Sequence, residues 1–430
     1  MIEQQPKYES YKDSGVEWLG EIPSEWNLLP GFRFFTENKR SNKGMIEETV
    51  LSLSYGKIIV KPKEKLVGLV PESFETYQIV EPGDIIVRCT DLQNDKVSLR
   101  TGLALNDGII TSAYLNLKVA NDCEPRYLHY FLHSLDTTKV IYKFGSGLRQ
   151  NLSYLDFKRL PVFDISQNVQ RAIADFLDIK TAQIDEAIAI KQKQIEQLKE
   201  RKQIIIQQAV TQGLNPDAPM KDSGVDWIGE IPEHWGIVRF KNLFTQSRLP
   251  VRKGDGVVTS YRDGQVTLRS NRRVGGYTEA ILEGGYQGIR KGQLVLNSMD
   301  AFEGAIGVSD SDGKCTPEYV ICDPINSVDV SQYYFAYLLR EMALAKYIQV
   351  ICNAVRQRAV RIRYNNLAPL FMVVPPVKEQ EDIVSFIEKE STKLDAGTKH
   401  LNEQISKLKE YKTTLINSVV TGKIKVTELA

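Results

Sequence analysis

Four arginines and a glutamine fall within eight residues near the end of the chain: Arg356, Gln357, Arg358, Arg361 and Arg363. A guanidinium can fork onto guanine O6 and N7, and a side-chain amide onto adenine N6 and N7, so these types suit contacts to base edges. Placed against the backbone instead, the same arginines would neutralise phosphates. A solvated charged loop is the alternative. Arg149 and Gln150 take the matching place in the first half of the chain. Arg88, Thr90 and Asp91 leave the apolar run Ile85–Val87, as Asn297, Ser298 and Asp300 leave Leu294–Leu296. Loops placed by a rigid scaffold are where binding residues gather, although turn and capping chemistry accounts for such residues as often. Tyr55 and Tyr261, which end β-like segments, and Lys57 and Arg262 just beyond them are candidates for the same contacts.

Covalent chemistry finds no comparable cluster. The sequence holds no GxxxxGK[ST] phosphate loop and no Asn/Asp-Pro-Pro-aromatic tetrapeptide of an amino-methyltransferase. Gly145-Ser-Gly147 is a lone GxG, better read as a hinge. His129 and His133 are spaced to share a metal on one helix face, but no third ligand is evident, and Tyr127, Tyr130 and Phe131 make the segment look like packing. Five cysteines (Cys89, Cys123, Cys315, Cys322, Cys352) lie far apart, which fits reduced thiols. No catalytic residue, metal or cofactor is expected in this chain. The polar first residues and the lack of a long apolar run predict a cytoplasmic protein without membrane contact.

The elements that must position the candidates are built twice. Lys12-Asp-Ser-Gly-Val-Glu-Trp-Leu-Gly-Glu-Ile-Pro-Ser-Glu-Trp26 returns as Lys221-Asp-Ser-Gly-Val-Asp-Trp-Ile-Gly-Glu-Ile-Pro-Glu-His-Trp235. Gln170-Arg-Ala-Ile-Ala-Asp-Phe-Leu-Asp is answered by Gln380-Glu-Asp-Ile-Val-Ser-Phe-Ile-Glu, and Gln197–Lys202 by Lys407–Lys412. The offset is 209 at the tryptophans and 210 at the lysines, so one unit is repeated in register. Each unit runs from Trp motif through a globular stretch to a long helix.

The helices carry a heptad seam: Leu177, Thr181, Ile184, Ile188, Lys191, Ile195, Leu198, Lys202, Ile205 and Ala209 in the first, and Ile387, Ser391, Leu394, Thr398, Leu401, Ile405, Leu408, Lys412, Leu415 and Val419 in the second. A seam this long predicts a coiled coil about 60 Å in length. Lys202 and Lys412 hold equivalent seam positions, where they either fix register or lie at a frayed, solvated end. Pro216 and Pro219 stop the first helix and open a linker. A duplicated chain pairs its two helices most simply about a pseudo-twofold axis, hence antiparallel, with a globular domain at each end of the rod.

The boundaries that follow are 1–26 for the first Trp motif, 27–160 for the first recognition domain and 161–213 for the central helix. Residues 214–235 are linker and second motif, 236–369 the second domain and 370–430 the last helix. The fold class is α+β, two α/β domains separated by a long antiparallel coiled coil. Each domain is expected to hold early strands (48–55 and 256–261), a turn feeding a buried strand (81–88 and 290–297) and an aromatic helix (126–132 and 332–339). The net charge of +1 hides a basic excess in the domains, roughly +3 in the first and +6 in the second.

With these motifs in view, the two Trp segments and the helix start at Glu379, Gln380, Ile383 and Phe386 resemble the specificity subunits of type I restriction-modification systems. The first helix departs slightly, with Asn168-Val-Gln170 for Lys378-Glu-Gln380 and no counterpart of Pro375-Pro376. The resemblance covers essentially the whole chain. It implies two target-recognition domains that each read half of a bipartite double-stranded DNA target. It also implies helices that dock two methyltransferase subunits, later joined by ATP-dependent translocase-nuclease (restriction) subunits. S-adenosylmethionine would then belong to the methyltransferase, and ATP and Mg to the restriction subunit. The rivals are a coiled-coil protein-binding scaffold and a fused methyltransferase or nuclease chain.

Overall fold

The computed structural model describes residues 6–62, 64, 73–145, 151–225, 227–272, 285–326, 328–348 and 361–426. The chain divides into two compact units, Met1–Gln192 with Asn402–Ala430, and Lys193–Leu401. Each unit therefore takes a segment of both long helices.

In the first unit, β1 (Tyr11–Asp13) and β2 (Glu21–Pro23) make a short hairpin from the Trp motif, followed by β3 (Asn27–Pro30) and β4 (Phe35–Glu37). Hairpin β5 (Leu51–Ser54) and β6 (Lys57–Val60) comes next, then β7 (Gln78–Val80), β8 (Ile85–Val87), β9 (Thr101–Leu103), β10 (Gly108–Ile110) and β11 (Leu115–Val119). Helices α1 (Pro125–Thr137) and α2 (Tyr154–Arg159) precede β12 (Pro161–Asp164) and the 46-residue α3 (Gln167–Gln212). The main sheet has the order β4-β11-β8-β9. All three residues of β8 are fully buried, as expected of a continuous β-branched run with no solvent face. Two expectations shift at their edges. Residues 48–49 lie outside β5, and residues 161–164, assigned to the central helix, form a strand against β3. Strand β12 needs an edge partner before the chain can turn into α3.

The second unit begins with hairpin β13 (Met220–Asp222) and β14 (Glu230–Pro232), then β15 (Gly236–Arg239), β16 (Phe244–Gln246), β17 (Val258–Ser260) and β18 (Val266–Leu268). After β19 (Gln287–Ile289) come β20 (Leu294–Asn297), β21 (Ile306–Val308), β22 (Gly313–Cys315), β23 (Tyr319–Pro324), α4 (Gln332–Leu344) and α5 (Tyr364–Leu367). Strand β24 (Phe371–Val374) pairs with β15, so the last helix, α6 (Val377–Val420, 44 residues), starts later than residue 370. The main sheet has the order β16-β23-β20-β21. Its core joins Trp235, Phe240, Phe244, Tyr334 and Phe335 to Ile206, Ala209 and Val210 of α3 and Ile383 and Ile387 of α6.

A buried glutamine ties each long helix to its unit. Gln170 donates from Nε2 to Ile165 O and accepts at Oε1 from Glu124 N, at the start of α1. Gln380 does the same with Pro375 O and Ser331 N, at the start of α4. The repeated Gln is thus a connector whose amide satisfies two orphan backbone groups at helix ends.

Within each unit the two helices run antiparallel. In the first, Lys412 Nζ bonds Asp185 (2.7 Å) and Lys191 bonds Gln404; in the second, Lys202 Nζ meets Asp395 (2.7 Å) and Leu198 lies against Gly397. Ile184, Ile188, Ile195, Ile405 and Leu415 are buried, whereas Leu198, Leu394, Leu401 and Leu408 are half-buried. Lys202 and Lys412 are neither frayed nor apolar seam contacts. Each keeps its ammonium at the flank, on an aspartate of the facing helix, as a long amphipathic stem allows. Ile205 gives way to Ile206 as the inward residue, because a 3.6-residue helix drifts off a strict 3.5 repeat where it meets the domain core.

The far end of each helix seats on a Trp motif. Gly422 (φ +72°) has Pro23 and Trp26 so close that an added Cβ would lie 2.5 Å from the Pro23 Cγ, and at Gly213 (φ +77°) it would lie 3.2 Å from the Trp235 ring and 3.6 Å from Pro232. Only glycine combines the positive φ with that approach. Tyr127 Oη donates to Val420 O in the first unit, and Tyr334 Oη to Val210 O in the second.

Candidate nucleic-acid interface

In the second unit, β20 ends at Asn297 and leads into Ser298, which lines a polar groove of about 320 Å³. Asn297 is mostly spent on its own turn, donating to Asp300 Oδ2 (3.1 Å) and accepting from Met299 N (3.2 Å). Ser298 is a hub: its N–H donates to Glu318 O (2.8 Å) and its carbonyl accepts from Ile362 N (3.1 Å). Ile362 is fully buried, which turns its neighbours Arg361 and Arg363 toward the groove. The Arg361 guanidinium meets Glu318 Oε1 at 2.9 Å. Arg363 opens α5, its N–H donating to Asn366 Oδ1, and Tyr364 Oη donates to Phe244 O (2.6 Å). Gln246 and Arg248 complete the wall.

The first unit repeats the pinning. Leu152 N donates to Cys89 O (2.9 Å), as Ile362 N does to Ser298 O, and Asp91 N donates to Asn151 Oδ1 (3.0 Å). In both units, then, the chain entering the short helix is fastened to a residue one or two places beyond the buried strand. Arg88 pairs with Asp95 at 3.1 Å, and Thr90 is exposed. Hydrogen bonds from Ser98 lead the causes that hold the Asp95 carboxyl down to about 2, so it is a fixed anion beside Arg88.

The structure therefore brings together Ser298, Arg361 and Arg363 in one unit, with Asn297 turned to its own loop, and Arg88, Thr90 and the segment 151–152 in the other. Arg149, Gln150, Arg356, Gln357, Arg358 and Cys352 lie outside the described residues. Tyr261 and Arg262 sit on the β17–β18 turn. There Arg262 is engaged by Asp300 and Glu303, and the Arg272 guanidinium lies 4.1 Å over the Tyr261 ring. Tyr55, on the β5–β6 turn, and Lys57, the first residue of β6, line a separate cavity of about 560 Å³ with His129, His133, Lys409 and Lys412. Burial drives those imidazoles down, His129 to about 3 and His133 to about 4, so both are neutral at physiological pH. Among the described residues, no group of three or more His, Cys, Asp or Glu could hold a metal ion. No described helix is long and apolar enough to cross a membrane. Cys89, Cys123, Cys315 and Cys322 are buried free thiols.

Sequence reasoning missed Gln246, Arg248 and Glu318, which reach the groove only through strand pairing between distant segments. No local signal marks them.

No protein-family model matches the sequence, and no curated protein does. Solved structures do match. One chain, from work on complex assembly and conformational transition of the type I R-M system, aligns over 94% of this chain and 99% of its own with a TM-score of 0.67 at 13% identity. The HsdS subunit from Thermoanaerobacter tengcongensis aligns over 96% and 100% with a TM-score of 0.52 at 14% identity. The chain has the fold of type I restriction-modification specificity subunits.

Proposed function

We propose that this chain is a non-catalytic reader of double-stranded DNA that gives a type I restriction-modification complex its sequence specificity. One half of a split target is read by each unit. The paired helices dock two methyltransferase subunits, which bring S-adenosylmethionine, and restriction subunits bring ATP and Mg. The internal duplication, with its two recognition domains, is part of this reading. The observation that carries it is the pinned loop at the end of the buried strand, which recurs in both units with polar and basic side chains beside it.

Selection from a randomised duplex library by the full chain with its methyltransferase tests the reading. A motif in two separated halves is expected, and Arg361→Ala should relax a position in one half alone. The lost contact is worth ~1–3 kcal/mol if Arg361 touches a base. The Arg361–Glu318 pair is about half exposed and contributes under ~1 kcal/mol to folding, so the loss of specificity would not be a loss of fold. Selection of no motif, or of one unbroken motif, overturns the proposal.

A further inference from the structure

Arg100, immediately before β9, is completely buried. A guanidinium has five N–H donors, and here four are spent on the carbonyls of a single loop and the fifth on a tyrosine that braces it. Nη1 donates to Arg88 O (3.3 Å) and Thr90 O (2.8 Å), Nη2 to Asp91 O (3.2 Å) and Asp95 O, and Nε to Tyr142 Oη (3.0 Å). Tyr142 Oη also donates to Asp95 O (3.2 Å), and its ring lies 5.2 Å from the guanidinium carbon. The Arg100 main chain is fixed as well, since its N–H donates to Oδ2 of the buried Asp136 (2.6 Å) and its carbonyl accepts from Arg88 N (2.8 Å).

A loop that turns four of its carbonyls inward onto one side chain leaves other groups facing outward. Thr90, Gln93, Asn94, Lys96 and Val97 are exposed, Val97 to 90%. Asn94 is partly spent, donating to Asp91 Oδ1 (2.7 Å), while Asp91 holds a left-handed φ of +60° that only a constrained loop retains. The exposed types are those that meet a groove: an amide for adenine, an ammonium for phosphate or guanine, and an apolar methyl pair for the thymine methyl. The corresponding turn of the second unit is shorter, with seven residues between Asn297 and Ala305, and no fully buried arginine fills it.

We infer that residues 90–97 form the base-reading loop of the first unit and that Arg100 is its positioning residue. Gln93, Lys96 and Val97 stand at the DNA, and Arg100 never touches it. The inference rests on the DNA-reading function proposed above and names the element that performs it.

The test uses the full chain and the duplex selection, with Gln93→Ala, Lys96→Ala, Arg100→Lys and Tyr142→Phe. Gln93→Ala should relax one position of one half-target by about 5- to 150-fold in discrimination. Lys96→Ala should either do the same at a guanine or lower the salt slope by about one. Arg100→Lys has too few donors for the loop and should blur every position of that half, leaving the other half unchanged. Tyr142→Phe removes one of the five acceptors within a kept aromatic core, so it should blur the same half more weakly even if Arg100→Lys fails to fold. An unchanged motif in Gln93→Ala and Tyr142→Phe overturns the inference, as does equal loss in both halves. A wild-type chain that selects no split motif overturns the function itself, so the two failures are distinguishable.

Discussion

His129 and His133 stand one turn apart on α1, and their burial has a thermodynamic consequence of definite sign. An imidazole held down at about 3 or about 4 stays neutral in the folded chain while the unfolded chain takes up protons below its ordinary value of 6.5. Stability present above that value is therefore lost as pH falls through the window, by up to about 1.4 kcal/mol per pH unit for each histidine. Asp136, raised by burial, opposes this as one group against two. In the second unit Glu341 is raised to about 7 by burial and accepts from Gln203. Folded Glu341 keeps a proton that the unfolded chain releases, so acidification from neutrality stabilises that unit. Calorimetry at about pH 7 and about pH 5.5 should show one transition falling and the other holding or rising; a fall of equal size in both would contradict the assignment. The packing of the His129–His133 segment was legible in its aromatic neighbours, whereas the burial of Asp136 and Glu341 was not. Arg100, in the polar stretch Ser98-Leu-Arg-Thr101, reads as a surface residue, and only its long-range partners Asp136 and Tyr142 make it an interior one.

At the scale of elements, the long helices were the most legible part of the chain, because their seam is a local periodic signal. The strand order β4-β11-β8-β9 was not, since it joins segments more than eighty residues apart through pairings that no local pattern encodes. The seam itself is graded. Ile184 is 7% exposed, while Leu198 is only half-buried. Ile184→Ala should therefore cost about 2–4 kcal/mol, at the usual level for a buried aliphatic, and Leu198→Ala about half that. Lys202→Ala and Lys412→Ala should each cost under ~1 kcal/mol, since their aspartate partners are at least half exposed. Urea midpoints of the four variants check the ranking. Lysine variants as costly as Ile184→Ala would show that polar contacts, not the apolar seam, hold the pair.

For the whole molecule, the equivalence of the two glycine seats predicts what a cut in the Pro216–Pro219 linker would do. A fragment of residues 1–213 loses Gly422 and the buried Leu415, Ile416, Val419 and Val420, leaving Pro23 and Trp26 uncovered. Its own Gly213, with Ile206, Ala209 and Val210, offers a second copy nearly the same surface. A homodimer should form, and with methyltransferase it should modify the first half-target joined to its inverted repeat; light scattering from a folded monomer would refute this. The same division of the chain bears on how it is made. Lys193–Leu401 is one continuous stretch, whereas the unit that begins at the N-terminus is closed by Asn402–Ala430. A ribosome emits the chain in order, so Met1–Gln192 must wait, its helix and Trp motif unsealed, until Asn402–Ala430 emerges after Lys193–Leu401. The half synthesised later should resist protease earlier on arrested nascent chains, an inversion of the usual N-terminal-first order. During that wait, the uncovered seat around Trp26 is the surface that a nascent-chain chaperone would have to shield.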